Sequence, residues 1–289
     1  MDIFVKVLNI LPLLNSKKSL LEIDAEELFK CQKFDFTCIF DELSTLPRKT
    51  GGENTFIKGL YSDCTKASAD FAKASTFSRM SLPCFSEGGE TKSKTVKNIE
   101  DVVESLSVFY KNYILNVSDP YKQAERLGTS LLIYEFFKEG YDLMPPEFCK
   151  SESGKPFFAD FPAVLSVSHS GGLICCAFAP KNDMEFSLGI DAEAVPPAEK
   201  YPTLKRISER FFDSPLRVEL LNGLNESEFC DAFTLIWTKK ESLVKMTGEG
   251  LSGIKKEPPS NFLQSSYELF PMGDKTKYYI SISLNCPFF

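Results

Sequence analysis

Three apolar runs, residues 164–167, 173–179 and 186–193, follow one another with only short polar breaks between them. Each is too short for a typical globular helix and is bounded by Gly, Ser, Pro or Asn, so each reads as a buried strand. The breaks are Ser168-His169-Ser170-Gly171-Gly172 and Pro180-Lys181-Asn182-Asp183. Any fold of this chain must therefore build a sheet here, and the second and third runs are expected to pair as a hairpin. The third run ends in Asp191 and Glu193, two residues apart and so on one face of a strand. Two hard oxygen ligands at a strand end suit Mg²⁺, although a solvated strand terminus explains the same residues.

Helical stretches flank these runs. Over 118–140, Asp119 supplies a cap and Pro120 a first turn, Ala124, Leu127, Leu131 and Tyr134 form the inner stripe, and Gly140 is expected to stop the helix. Lys122 and Arg126 lie four apart on it and share a face. A stretch over 226–246 is expected to be the longest helix, with Phe229, Phe233, Ile236, Leu243 and Val244 apolar and Thr247-Gly248 as its end. Trp237, Glu241 and Lys245 step four at a time along it. A shorter helix over 201–212 carries Lys205, Arg206 and Arg210. Residues 1–14 read as a first strand, 17–27 as a helix, and 278–284 as a half-buried strand whose Tyr278, Ile280, Ile282 and Leu284 alternate with polar neighbours. Between Cys31 and about Lys97 no clean period emerges, and this stretch is read as loop-rich.

Composition excludes several classes. With 289 residues, 43% of them hydrophobic, the chain supports one large domain or two small ones. A single His rules out a site built from several imidazoles. A net charge of −7 argues against a general nucleic-acid binder. Nine Cys without a C-x-x-C pair read as free thiols in a reducing compartment, and the apolar start is too short to span a bilayer, so a cytoplasmic protein is expected.

Taken singly these are ordinary surface features, but three of them in order make a pattern. Ser168-His169-Ser170-Gly171, Gly189-Ile190-Asp191-Ala192-Glu193, and Trp237-Thr238-Lys239-Lys240-Glu241-Ser242 with Lys245 and Gly248-Glu249-Gly250-Leu251 resemble the signature of the 4′-phosphopantetheinyl transferase superfamily, in its long surfactin-synthetase-activating type. Gly154-Lys155-Pro156, Arg126 and Phe211-Phe212 are softer matches. Coverage is good from about Val117 to Leu251 and thin elsewhere. Two positions depart from the family: Ala192 stands where a larger hydrophobic residue is usual, and Leu216 where a glutamate is common.

The resemblance implies an α+β fold of two similar halves related by a pseudo-two-fold axis, residues 1–185 and 186–289, with an N-terminal insertion at about 15–100. It implies transfer of 4′-phosphopantetheine from coenzyme A to a serine of an acyl or peptidyl carrier protein, with release of 3′,5′-ADP. Asp191, Glu193 and Glu241 would hold Mg²⁺. Glu241 or a metal-bound water would take the serine proton, and Lys245 would stabilise the leaving phosphate. Arg126, Lys155, Ser168 and His169 would grip the 3′-phosphate and adenine end of coenzyme A. The expected protein is a monomer without nucleic-acid or membrane partners. The rival readings are a catalytically silent coenzyme A-binding scaffold of the same fold and a Mg²⁺-dependent phosphohydrolase.

Overall fold

Helix and sheet are mixed among the described residues, as the alternation of apolar runs and helical stretches requires. The computed structural model describes residues 2–15, 19–25, 27, 30–39, 64–65, 75–76, 98–181, 186–221, 223–256, 258–259, 262–271 and 275–285. Its strands are β1 (Asp2–Asn9), β2 (Gln32–Ile39), β3 (Cys64–Thr65), β4 (Ser75–Thr76), β5 (Phe148–Lys150), β6 (Pro156–Phe158), β7 (Ala163–Ser170), β8 (Leu173–Pro180), β9 (Ser187–Ala194), β10 (Phe262–Leu269) and β11 (Tyr278–Asn285). Its α-helices are α1 (Leu11–Leu14), α2 (Ile99–Glu104), α3 (Val108–Leu115), α4 (Pro120–Tyr141), α5 (Tyr201–Phe211), α6 (Ser214–Leu221) and α7 (Glu226–Thr247).

Two sheets organise these elements, in the orders β4-β2-β1-β8-β7 and β3-β10-β11-β9, with β5 and β6 as a separate small hairpin. The expected hairpin of the second and third apolar runs does not form. Strand β8 has both edges filled, by β7 and by β1, so β9 finds its backbone partner in β11 instead. The Gly171-Gly172 turn, with both residues at positive φ, folds β7 onto β8. Ser168, His169 and Ser170 are therefore the last residues of a strand rather than part of a turn.

Strand alternation sets up two cores. On one face of the first sheet, Leu8, Leu165, Ile174, Cys176 and Phe178 pack with Leu127, Leu131 and Phe137 of α4. On the other face, Val5, Val7, Cys175 and Ala177 meet Leu188, Ile190, Ile280 and Ile282 of the second sheet. Helix α7 lies on the outer face of that sheet. Gly189 permits this approach, since a Cβ there would stand 2.0 Å from the Ser242 carbonyl oxygen and 2.4 Å from the Met246 nitrogen. A third, aromatic cluster, including Phe212, Phe229 and Phe233, joins α5, α6 and α7.

Several local expectations change. Strand β11 is buried on both faces, because Ser281 and Ser283 lie on the α7 side and bond to Ser266 and Ser242, each at 2.8 Å. Within 17–27, Leu20–Glu22 form a short 3-10 turn and residues 25 and 27 are helical, while 17, 18 and 26 lie outside the described residues. Strand β2 lies inside the stretch read as loop-rich and pairs along the whole of β1. Helix α4 runs one residue past Gly140 and ends on Asp142 in the left-handed region, φ 50°. At 22 residues it matches α7, so α7 is not the longest helix alone. Met272-Gly273-Asp274, which reads as a turn before the last strand, lies outside the described residues.

Candidate functional site

The site begins where the two sheets meet at the edges of β7 and β9. These strands are joined by side chains and not by a backbone ladder. Ser166, Ser168 and Ser170 accept the backbone N–H groups of Ile190, Ala192 and Ala194 at 3.0, 3.2 and 3.2 Å. The period of two on both strands makes the rungs repeat in register. Two of these hydroxyls also donate to the acids of β9: Ser168 to Asp191 Oδ1 at 2.9 Å and Ser170 to Glu193 Oε2 at 2.7 Å.

Helix α7 completes the cluster. Its capping box at Asn225 and Glu228 fixes the start, and Gly248 at φ 76° ends it. Lys245, in its last turn, places Nζ 2.7 Å from Asp191 Oδ1 and 2.8 Å from Ser168 Oγ. Glu241, one turn earlier, is close enough to Asp191 and Lys245 for their charges to act on it. Asp191 is 3% exposed, and its Oδ2 is buried without a hydrogen-bond partner. Burial, followed by repulsion from Asp191, pushes Glu193 up to about 7. Glu241 is also raised, by burial first and then by Asp191.

An orphaned Asp191 oxygen and three mutually repelling carboxylates are a donor set suited to a hard divalent cation. Among the described residues no group of three His, Cys, Asp or Glu side chains is gathered in a form ready to hold a metal. Lys245 occupies part of that role by neutralising Asp191 Oδ1.

The expected coenzyme A residues are placed differently from one another. Ser168 belongs to the carboxylate cluster. His169, the next residue on the strand, faces the α4 side, with Nδ1 2.9 Å from Glu125 Oε1. Arg126 donates to the Tyr113 carbonyl at 2.6 Å and lies 4.8 Å from the centre of that ring. Lys155 donates to the Met246 carbonyl at 2.9 Å, in the last turn of α7, and desolvation lowers its amine to about 8. Leu216, which departs from the family pattern, is buried beside Phe212 in the aromatic cluster, so this position serves packing here. Sequence reasoning missed Glu125 and the Ser166 and Ser170 rungs. The alternation of serines at 166, 168 and 170 was visible, but its partner strand was not.

Comparison with known proteins converges on one family. A family model described as the 4′-phosphopantetheinyl transferase superfamily matches residues 187–282, from β9 into β11. The chain is 36% identical over 106 residues to 4′-phosphopantetheinyl transferase Sfp of Bacillus subtilis (strain 168), covering 36% of this chain and 42% of that protein. It is 32% identical over 140 residues to 4′-phosphopantetheinyl transferase gsp of Aneurinibacillus migulanus, covering 47% of this chain and 52% of that one. The transferase HetI of Nostoc sp. is 31% identical over 114 residues, covering 38% and 45%. The matches thus span about half the length of these relatives. No helix among the described residues is long and apolar enough to cross a membrane.

Proposed function

We propose, from the premise that residues 187–282 are a 4′-phosphopantetheinyl transferase superfamily segment of the Sfp-like type, that this protein transfers 4′-phosphopantetheine from coenzyme A to a carrier-protein serine. The observation that carries the reading is the meeting of Ser168, Asp191 and Lys245 within 2.9 Å of one another, from three segments distant in sequence.

The reaction is attack by the serine hydroxyl on the β-phosphorus of coenzyme A; a new P–O bond forms, the bond to the α-phosphate oxygen breaks, and 3′,5′-ADP leaves. Mg²⁺ held by Asp191, Glu193 and Glu241 would supply positive charge to the pyrophosphate oxygens. Lys245 stabilises the leaving phosphate as a point charge, already held in place by Asp191 and Ser168. Glu241, with its carboxyl raised, is suited to take the serine proton. Lys155 and Arg126 are each anchored by one hydrogen bond to a backbone carbonyl and keep further N–H donors for the 3′-phosphate and adenine end, together with His169.

The connectivity supports a two-fold plan. Strand β1, helix α4 and hairpin β7–β8 form one unit, and β9, α7 and β10–β11 the other, and in each the hairpin's second strand pairs with the opening strand. On this reading the halves are 1–185 and 186–289, with β3 crossing from the first into the second sheet. Both halves lie in one chain, which favours a monomer, and the buried free cysteines favour a cytoplasmic setting. Helix α5, with Lys205, Arg206 and Arg210, is the surface offered to an acidic carrier.

The test is mass spectrometry of several apo carrier proteins incubated with the protein, coenzyme A and Mg²⁺. The expected result is the added phosphopantetheine mass on at least one carrier. No added mass on any acyl or peptidyl carrier would sink the reading.

A further inference from the structure

One carboxylate near the site takes no part in the proposed chemistry. Glu125, on the first third of α4, has a side chain only 12% exposed, yet it faces an imidazole that is 52% exposed. Its Oε1 lies 2.9 Å from His169 Nδ1. Burial raises its carboxyl; attraction from His169 opposes that rise, repulsion from Asp119 at the helix cap adds to it, and Lys122 opposes it. The turn that follows His169 is tied from both sides. Tyr121 of α4 bonds the backbone of Gly172, and the Tyr278 hydroxyl donates to the Gly171 carbonyl at 2.8 Å. His169 is thus held at the ring by Glu125 and at the backbone by its own strand and turn.

We infer that Glu125 is a positioning residue: by accepting the Nδ1 proton of His169 it aims Nε2 at the 3′-phosphate of coenzyme A, and so sets the preference for coenzyme A over 3′-dephospho-coenzyme A. The inference rests on the reading above, in which His169 faces the 3′-phosphate. Its chemistry follows from the two ring nitrogens pointing in opposite directions. An imidazole whose Nδ1 faces a carboxylate has its Nε2 aimed the opposite way, so fixing one nitrogen fixes where the other points. A buried carboxylate beside an anion site would otherwise repel the ligand. With His169 between them, the same charge orients the group that binds it. Arg126 is engaged by Tyr113 and Lys155 by Met246, so in this structure neither cation turns the imidazole.

The test is calorimetric binding of coenzyme A and of 3′-dephospho-coenzyme A to the full chain and its variants, with thermal melting as the folding control. Wild type is expected to prefer coenzyme A. Glu125→Ala should cut that preference about tenfold through weaker binding of coenzyme A alone, the scale of one charge-assisted hydrogen bond. Glu125→Gln, which keeps shape and an acceptor, should cut it less. The double variant Glu125→Ala/His169→Ala should be no worse than His169→Ala, because Glu125 acts through the imidazole. If His169→Ala lowers the preference while neither Glu125 variant does, Glu125 is merely structural and the inference fails. If wild type shows no preference, or if the losses at 125 and 169 simply add, the inference also fails. If the preference behaves as expected but no carrier is modified, the transferase reading fails and the Glu125 assignment stands.

Discussion

The two long helices cover their sheets with opposite electrostatic outcomes. On the first sheet, cations sit on the strands and acids on the helix. Lys6 of β1 reaches Glu135 at 3.4 Å and Glu139 at 2.7 Å, and Lys33 of β2 bonds Glu135 as well. Glu135 is 2% exposed, and both of its oxygens are answered. On the second sheet two acids, Asp191 and Glu193, sit on the strand, and the helix brings Lys245 together with a third acid, Glu241. Asp191, Glu193 and Glu241 share Lys245, and one Asp191 oxygen stays unmatched. One strand-and-helix plan thus carries a saturated ion cluster in one place and an unsaturated one in the other. A saturated cluster can only hold elements together. An unsaturated one can take up a cation and phosphate oxygens, and the excess of negative charge marks the side on which chemistry is expected.

The comparison breaks most sharply at Asp191 and Lys245. Asp191→Ala and Lys245→Ala should each lower carrier modification by at least about a thousandfold, read by single-turnover mass spectrometry, with a native circular-dichroism spectrum. Near-normal transfer by Asp191→Ala would remove the metal assignment. The reverse pattern is expected at Glu135. Glu135→Ala leaves Lys6 and Lys33 with the half-exposed Glu139 and should cost about 1–3 kcal/mol in urea unfolding, with turnover per folded molecule unchanged. Replacing the whole cluster, by Glu135→Leu with Lys6→Met and Lys33→Met, should recover most of that loss. If Glu135→Ala stopped transfer at full stability, the division between a cohesive and a chemical cluster would be wrong.

Gly189 tests how tightly the second unit must close. A methyl group there meets backbone atoms of Ser242 and Met246, which cannot rotate aside, so Gly189→Ala must push α7 away from β9. The expected cost is about 1–3 kcal/mol by thermal or urea unfolding. Transfer should also fall, because Lys245 rides on the displaced turn. A stable and fully active Gly189→Ala would show that α7 and β9 tolerate a wider gap than the ion pair suggests.

What could be read beforehand follows from how local each signal is. Helices α4 and α7, strand β9 and the residues gathered on them were legible because caps, periodicity and motif spacing lie within short windows. The order of the strands was not. The proximity of β8 and β9 in sequence favoured a hairpin, whereas β8 pairs with β7 on one edge and, on the other, with β1, far away in the chain. Strand β2 was missed although Phe34, Phe36 and Cys38 alternate with Lys33, Asp35 and Thr37, because its surroundings lack any such pattern. The polar face of β11 was assigned to solvent because alternation reports two unlike faces and not what covers them. Glu125 left no signal at all: a helix residue that meets an imidazole from a distant strand belongs to no local pattern.

Lys155 gives the smallest effect and the most specific sign. It ties the residue before β6 to the last turn of α7 by donating to the Met246 carbonyl, and burial lowers its amine from 10.5 to about 8. Its folded value lies below its unfolded one, so between about 8 and 10.5 the unfolded chain binds more protons, and stability must rise with pH through this window. Coenzyme A binding must run the other way, since the amine loses the charge that attracts a phosphate as pH passes about 8. The expected pattern is a modest gain in melting temperature from this group together with a several-fold weaker coenzyme A affinity over the same interval. Lys155→Met should remove both slopes while leaving the Asp191–Lys245 pair intact. If the affinity slope survived in Lys155→Met while the stability slope vanished, Lys155 would belong with Glu135 among the charges that only hold elements together.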